Sequence, residues 1–422
     1  MVAYERGLRR RAVVAAGVLA VTAVLGGTVS GAEARGAAGP ALPHADLPAP
    51  TGPYPVGTTA RHLVDRSRTD PWEPRRHREL MVSFWYPAEP GAPGEPALYM
   101  DRDSAAHFGS AAGAGHAHGV PAGAVDWSAT RTHARVDVPV ARGVRSLPVV
   151  LYSAGLGDPR TWGTHLVADL ASRGYVVVTV DHPYDASEVR FPDGRLVESV
   201  LPSLAGKPGT DVGAVLRKAV RARVDDTRSV LDALAGPALR RGLPHGLAQA
   251  MDLRRVGMAG HSAGGFTAAQ AMHDDRRIRA GVNLDGTMDF PGPDGTGHHL
   301  SSVARDGLDG PFLLMGSDGA NDNAPSWSAF RKNTRGRQAE LLMTGSRHGA
   351  YSDAPALLPE LVRQGAVPRA ALEGNVGTVR PERAVAAVRA YVASFFDRFL
   401  KGRDDHLLDG PSDRYPELRH KS

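Results

Sequence analysis

The chain has 422 residues, of which 42% are hydrophobic, so it is long enough to bury one large core or two ordinary ones. It contains no cysteine, and this excludes a disulfide framework, a thiol nucleophile and a zinc–cysteine site. The formal net charge of +5 is not gathered into a basic run interleaved with aromatic residues, so nothing in the sequence supports a nucleic-acid partner.

The first 34 residues have the composition of a secretory signal peptide. An arginine-rich start is followed by the apolar run Ala12–Val29 and by Ala32-Glu33-Ala34, which is an A-x-A cleavage site. A membrane anchor is the alternative, but Thr22 and Gly26 interrupt the run, and no later stretch approaches the roughly 20 apolar residues that a membrane span needs. We therefore predict a signal peptide over residues 1–34 and a secreted protein.

Two further segments are poor in large apolar side chains, so ordering them buries little surface. The first, residues 35–55, predicts a flexible lead-in to a single domain over residues 56–422. The second, Ser104–Pro121, predicts a surface loop. His116 and His118 form an H-x-H pair in this loop, but no third ligand lies nearby in the sequence, so we expect no metal there.

From about residue 79 the hydrophobic pattern alternates between strands and helices. The predicted strands are Leu80–Tyr86, Pro148–Tyr152, Tyr175–Val180, Val256–Ala259, Ile278–Leu284, Pro311–Met315 and Gln338–Met343. The predicted helices are Trp162–Leu170, Val220–Leu234, Phe266–Met272 and Pro381–Leu400. This alternation predicts the α/β class, with a mostly parallel central sheet covered by helices on both faces.

One irregular insert interrupts the alternation, from about His182 to Lys218. It contains a hairpin signal at Asp193-Gly194 and little other periodicity. The insert follows the carboxyl end of a strand, where sheets of this class bind ligands. We therefore predict a cap-like insert over the site.

Gly260-His261-Ser262-Ala263-Gly264 is a G-x-S-x-G run between a predicted strand and a predicted helix. This context places a serine on a tight strand-to-helix turn, where its hydroxyl is exposed and glycines allow close packing around it. A structural turn is the alternative reading of the pentapeptide. The flanking strand and helix favour Ser262 as a nucleophile.

A serine hydroxyl needs a histidine to take its proton and a carboxylate to hold that histidine in the right tautomer. His348 lies just after the last predicted parallel strand, whereas His273, His298 and His299 come before the last strands. Where the serine lies on such a strand-to-helix turn, the acid and then the histidine follow it along the chain. Three carboxylates fit this order: Asp285, Asp318 and Asp322. Position alone does not choose between them.

The chemistry also needs hydrogen-bond donors aimed at the oxyanion. The backbone N–H of Ala263 starts a predicted helix, where amides are unpaired and the dipole favours negative charge. The second donor is expected from Ala154-Gly155-Leu156-Gly157, in the loop after the strand Pro148–Tyr152. We assign it to the amide of Leu156.

Four segments together resemble the platelet-activating factor acetylhydrolases of the plasma and type II intracellular group and their bacterial relatives: Ser153–Gly157, Gly260–Gly265, Leu284–Gly286 and His348–Asp353. The resemblance spans about residues 61–400. It implies an α/β-hydrolase fold, with Ser262, Asp285 and His348 as the triad and Leu156 and Ala263 as oxyanion donors. The family usually has histidine before the glycine of the oxyanion loop, and this chain has Ala154 instead.

These residues predict a secreted serine ester hydrolase that needs no metal or cofactor and works through an acyl-enzyme. The resemblance implies small-molecule or lipid ester substrates with short acyl chains, such as phospholipid esters. It is compatible with transient contact with a lipid surface and implies no obligate protein partner. A general lipase or polyester hydrolase of the same fold is the alternative. A binding protein that kept the fold without catalysis is a second alternative.

If the signal peptide is removed at the A-x-A site, the exported protein should begin at or near Arg35. Amino-terminal sequencing of protein recovered from culture medium measures this directly. Membrane-bound protein with an intact Met1 would instead indicate an anchor.

Overall fold

A computed structural model describes residues 41–318 and 324–421. The predicted signal peptide over residues 1–34 lies outside the described residues. In the described part of the chain, no helix is both long enough and apolar enough to cross a bilayer.

The described strands and helices alternate along most of the chain. The strands are β1 (Val56–Thr69), β2 (His77–Pro87), β3 (Pro96–Leu98), β4 (Arg131–Val136), β5 (Leu147–Ser153), β6 (Val176–Val180), β7 (Glu188–Arg190), β8 (Leu196–Glu198), β9 (Met251–His261), β10 (Ile278–Leu284), β11 (Asp289–Phe290), β12 (His299–Leu300), β13 (Phe312–Ser317), β14 (Gln338–Met343) and β15 (Leu418–His420). The helices are α1 (Arg102–Phe108), α2 (Ala114–Ala117), α3 (Thr164–Ser172), α4 (Leu201–Ala205), α5 (Val212–Ala235), α6 (Pro237–Arg241), α7 (Leu247–Ala250), α8 (Ala263–Asp274), α9 (Ser302–Asp306), α10 (Pro325–Asn333), α11 (Ala354–Arg363), α12 (Arg369–Val376) and α13 (Pro381–Lys401).

An 11-stranded sheet forms the centre, in the order β15-β14-β13-β10-β9-β5-β6-β2-β1-β4-β3. The six strands from β14 to β6 in this order run parallel to one another. β2 pairs antiparallel with β6, and β15 pairs antiparallel with β14. The predicted mostly parallel central sheet is therefore confirmed, with antiparallel strands added at both edges.

The two faces of the sheet are both buried, which explains the nearly continuous apolar runs of its central strands. In β5, Val149 and Leu151 pack into the core on the side of α5 and α8. Val150 and Tyr152 point the other way, into the core that α3 and α13 cover. The helices expected on both faces are thus in place.

The described part of the lead-in lies against the domain. Residues 41–55 have little regular structure, but they pack against the domain: Ala45 and Leu47 are 2% and 4% exposed. The amide of Thr51 donates to Asp169, and the Arg389 guanidinium donates to the carbonyl of Ala49. Residues 41–55 thus contact the domain through buried side chains and hydrogen bonds, which the composition did not indicate, and the flexibility of the lead-in stays a prediction.

The segment predicted as a surface loop, Ser104–Pro121, also contains structure. It includes most of α1 and all of α2, and Phe108 is fully buried against Trp127. The phenyl ring of Phe108 therefore buries surface in a segment whose composition had predicted a surface loop.

The insert at residues 182–218 contains the hairpin predicted at Asp193-Gly194, formed by β7 and β8. Its first part is buried, and Val189 and Phe191 pack on Met81 of β2. Its end differs from the prediction, because α5 already begins at Val212. The cap-like role of the insert stays a prediction.

Candidate active site

Ser262 lies on the turn between β9 and α8, at φ 56° and ψ −122°. A non-glycine residue rarely adopts a positive φ, and such strain persists only where the surroundings impose it. Here, a Cβ on Gly264 would lie 1.9 Å from the carbonyl oxygen of Ser153, and one on Gly260 would lie 2.3 Å from Gly264. The glycines of the motif are therefore required by close packing of β5, β9 and α8.

Asp285 follows β10 and also has a positive φ, of 62°. Asn283 fixes this turn from both sides: its side-chain oxygen accepts from the Gly286 amide and its nitrogen donates to the Gly286 carbonyl, each at 2.8 Å. The amide and hydroxyl of Ser317 donate to the two Asp285 carboxylate oxygens, at 2.7 and 2.8 Å. The carboxylate is thus held rigidly at the carboxyl edge of the sheet.

His348 is brought to this carboxylate, with 2.7 Å between its Nδ1 and Oδ2 of Asp285. The Asp285 side chain is fully buried, whereas that of His348 is 52% exposed and so reachable by a substrate. Burial raises the pKa of Asp285, but the bond to His348 and the donors from Ser317 outweigh it and lower that pKa. Burial lowers the pKa of His348, but the hydrogen bond and charge of Asp285 outweigh it and raise that pKa.

The rival carboxylate Asp318 is directed elsewhere. Its Oδ2 accepts from the amide of Gly345 at 2.9 Å, and its Oδ1 faces Arg419 at 3.4 Å. It therefore links the end of β13 to the segment after β14 and to β15 at the surface. Asp322 lies outside the described residues.

The rival histidines also have other partners. His273 contacts Asp274 and Asp306, and His298 contacts Asp289. His299 is exposed in β12. Of the histidines considered, His348 is the one that the structure places on Asp285.

The loop that carries His348 is held at two points. Nε2 of His261 lies 2.9 Å from the backbone oxygen of His348. Burial and, to a smaller extent, the charge of the nearby His348 ring lower the pKa of His261 to about 4. A neutral His261 can therefore donate to this carbonyl at ordinary pH. Five residues after His348, Asp353 accepts the amides of Thr164 and His165 and thereby caps the N-terminus of α3.

The two predicted oxyanion donors lie at the same edge. Ala263 is the first residue of α8, and Leu156 lies in the loop after β5, which packs against Gly264. Within the described residues neither backbone N–H has a hydrogen-bond acceptor. Two free amides beside a strained serine can stabilise a developing negative charge.

A second acid–base pair beside the triad was not predicted. His118 Nε2 lies 2.8 Å from Oδ1 of the buried Asp158, and the His118 ring stacks on Trp162. This contact gives one histidine of the H-x-H pair a partner within the chain. Asp158 directly follows the glycine-rich loop after β5. This position in the sequence was the signal that could have indicated the pair.

The described residues contain one group whose His and Asp atoms could hold a metal ion: Asp404, His406 and Asp409, all exposed. Arg398 already pairs with Asp404 at 3.1 Å and with Asp409 at 2.6 Å. The group belongs to a surface ion-pair network at the C-terminal end of α13.

The chain is similar to proteins that are named as acetylhydrolases and esterases. The profile of the family described as "Platelet-activating factor acetylhydrolase, isoform II" matches residues 40–191 and 244–397. A "Probable 1-alkyl-2-acetylglycerophosphocholine esterase" of Arthroderma benhamiae is 29% identical over 399 residues, which cover 88% of this chain and 92% of that protein. A "Platelet-activating factor acetylhydrolase" of Canis lupus familiaris is 29% identical over 174 residues, or 37% of this chain and 38% of that protein.

Among solved structures, one described as "Ferulic acid esterase from Streptomyces cinnamoneus" is similar in sequence and in fold. Its TM-score is 0.71 at 37% identity, and the match covers 90% of this chain and 100% of that chain.

The two carboxylates can be separated by matched variants. Asp285→Asn should lower kcat for an activated ester by roughly ten-thousandfold, because the amide cannot hold the His348 tautomer. Asp318→Asn should lower kcat by less than about threefold, because the contacts of Asp318 with Gly345 and Arg419 are surface links away from His348. Steady-state kinetics on folded variants measures both, and the reverse order would assign the acid to Asp318.

The pH dependence should follow His348. Its imidazole must be neutral to accept a proton, so kcat/KM should fall as pH drops through the raised pKa of His348, with a midpoint above about 6.5. In Asp285→Asn the charge that raises this pKa is gone, so the His348 resonances should titrate at lower pH. A pH–rate profile of the wild type and NMR titration of both proteins test this. An unchanged His348 titration would contradict the pairing.

Proposed function

Because this chain belongs to the platelet-activating factor acetylhydrolase isoform II family, we propose that it is a secreted serine esterase that removes short acyl groups from lipid or phospholipid esters. It is an esterase with an α/β-hydrolase fold. The hydrogen bond of 2.7 Å between His348 and Asp285, at the sheet edge that carries the strained Ser262, is the observation that supports the triad.

The proposed reaction has two halves. The Ser262 hydroxyl attacks the ester carbonyl carbon while His348 takes its proton, and the N–H groups of Leu156 and Ala263 stabilise the oxyanion. His348 then returns the proton to the departing alcohol, which leaves an acyl-enzyme. A water molecule repeats the sequence on the acyl-enzyme and releases the acid. Asp285 remains ionised throughout and stabilises the imidazolium that forms twice.

The choice of short-acyl lipid esters rests on relatives. The fungal relative that covers most of this chain carries the name of a 1-alkyl-2-acetylglycerophosphocholine esterase. The N-terminal 34 residues support secretion by their composition. The signal-like composition alone favours an enzyme that meets its ester outside the cell.

A second candidate substrate class is the esters of aromatic acids. The structure with 37% identity over 90% of this chain is described as a ferulic acid esterase. The same triad chemistry would cleave such an ester, so only the fit of the acyl group distinguishes the two classes. A general lipase or polyester hydrolase would differ by accepting long acyl chains. A non-catalytic binding protein would lack turnover.

A substrate series decides between these classes. With 1-alkyl-2-acyl-glycerophosphocholines of increasing acyl length, we expect kcat/KM to be highest for acetyl and to fall at least about tenfold for long chains, since a short-acyl pocket excludes added methylenes. Methyl ferulate and a long-chain triglyceride complete the series. Ser262→Ala is the matched control and should lower kcat by about a millionfold.

Faster cleavage of methyl ferulate would favour the aromatic-ester class, and faster cleavage of the triglyceride would favour a lipase. If folded wild-type protein cleaves no ester in the series, the catalytic proposal fails.

A further inference from the structure

The loop that carries Leu156 is held from behind by a buried arginine of α5. Arg223 is 1% exposed. Its Nη1 donates to the carbonyl of Ala154 at 2.7 Å, and its Nη2 donates to the carbonyl of Gly155 at 2.8 Å. One guanidinium therefore fixes two consecutive peptide groups of the loop.

Asp185, from the start of the insert, holds this guanidinium in place. Its carboxylate accepts from Nε and Nη2 of Arg223, both at 2.7 Å, which is the bidentate geometry that suits arginine. The same carboxylate accepts the amide of Gly157 at 3.1 Å. Arginine and aspartate together thus contact the loop on both sides of Leu156.

Two donors to the Gly155 carbonyl fix where the Leu156 amide points: Nη2 of Arg223 at 2.8 Å and the backbone N–H of Asp158 at 3.2 Å. The peptide group is planar and trans, so its C=O and N–H project in opposite directions. Since Arg223 holds the oxygen on the α5 side, the N–H of Leu156 is directed away from α5, and it has no acceptor in the described part of the chain. A cationic donor on the oxygen also polarises the peptide group and makes its N–H a stronger donor.

We propose that Arg223, oriented by Asp185, is a positioning residue that aims the Leu156 N–H at the oxyanion; this inference rests on the proposed function. Arg223 does not touch the substrate and acts through the loop. The side chain of Ala154 cannot hydrogen-bond, so the loop has no polar side chain of its own immediately before Gly155. Arg223 lies in residues 192–243, between the two stretches that match the family profile.

The oxyanion contribution can be isolated with a pair of substrates. We would measure kcat/KM for p-nitrophenyl acetate and for the thionoester in which sulfur replaces the carbonyl oxygen. Sulfur accepts hydrogen bonds poorly, so the ratio of the two values reports how well the oxyanion donors are aimed. General damage to the triad or to folding lowers both values and leaves the ratio unchanged.

Arg223→Lys keeps the charge, but its three donors on one nitrogen cannot replace the planar fork that reaches two carbonyls and both Asp185 oxygens. We expect its kcat for the ester to fall by about tenfold to hundredfold with KM changed less than about threefold, as for loss of part of an oxyanion donor. The ester-to-thionoester ratio should fall by a similar factor. Asp185→Asn, which keeps Arg223, should lower the ratio by a smaller factor.

Arg389→Lys is the matched control. Arg389 is 4% exposed and also donates to backbone carbonyls, those of Pro48, Ala49 and His165, but it lies on the α3 and α13 side of the sheet. Its variant should keep the wild-type ratio even if stability falls.

A wild-type ratio in folded Arg223→Lys would overturn the inference, as would an equal fall in Arg389→Lys. If Arg223→Lys does not fold, an unchanged ratio in Asp185→Asn overturns it. Absence of ester cleavage by the wild type would instead refute the proposed function.

Discussion

The strained turn at Ser262 is the constraint on which the site depends. A serine at φ 56° is unfavourable by itself, and β9 and α8 hold it there only because two glycines let Ser153 and the helix backbone approach closely. The Ser262 amide also donates to the carbonyl of Leu284 at 2.8 Å. This bond ties the Ser262 turn to β10, the strand that Asp285 directly follows, so the two turns are built as one unit.

The proposed acid and base are then fixed by contacts that the fold supplies from distant parts of the chain. Asp285 receives two donors from Ser317 on the neighbouring strand, and the His348 loop is held by His261 and, through Asp353, by the N-terminus of α3. Each contact restricts one of the three proposed catalytic groups before substrate arrives. Such preorganisation is what makes electrostatic stabilisation effective at the transition state.

The sequence predicted the parts of this site that are local. The strand, turn and helix around Ser262 follow from one short motif, and His348 follows from its place after β14. The choice between Asp285 and Asp318 could not be made from position, because both follow neighbouring parallel strands. It depends on the turn that Asn283 fixes and on the Gly345 amide that engages Asp318.

Elements with weak local signals were not predicted. β1 alternates irregularly and is stabilised by pairing with β2 rather than by its own pattern. α11 contains Pro359 in its interior, which opposes a helix prediction, yet Leu357, Leu358 and Leu361 are fully buried in it. Tertiary burial outweighs local preference in both.

The contacts of α5 could not be predicted either, although one signal was present. Arg223 lies three residues after Val220 and next to Val224, on the face of the predicted helix that should be apolar. An arginine there implies a buried partner. The sequence does not show that this partner is Asp185, or that the same guanidinium also donates to two loop carbonyls. Those contacts join residues 38, 69 and 68 positions apart.

The buried charges of α5 are better explained as groups that orient the loop after β5 than as groups that stabilise the fold. Arg223 and Asp226 are both almost fully buried, Asp226 pairs with Arg78, and removing such charges from water offsets most of their mutual attraction. Both lie behind the carboxyl ends of β5 and β6, where His182 links Ser153 to Asp226. A rigid, directional network there fixes the loop that carries Leu156. The proposed nucleophile, base and acid come from the stretches that match the family profile, whereas α5, which we propose orients the loop, comes from the segment between them. A relative with a histidine in place of Ala154 has a polar side chain within the loop itself, and its loop would depend less on an arginine at the position of Arg223.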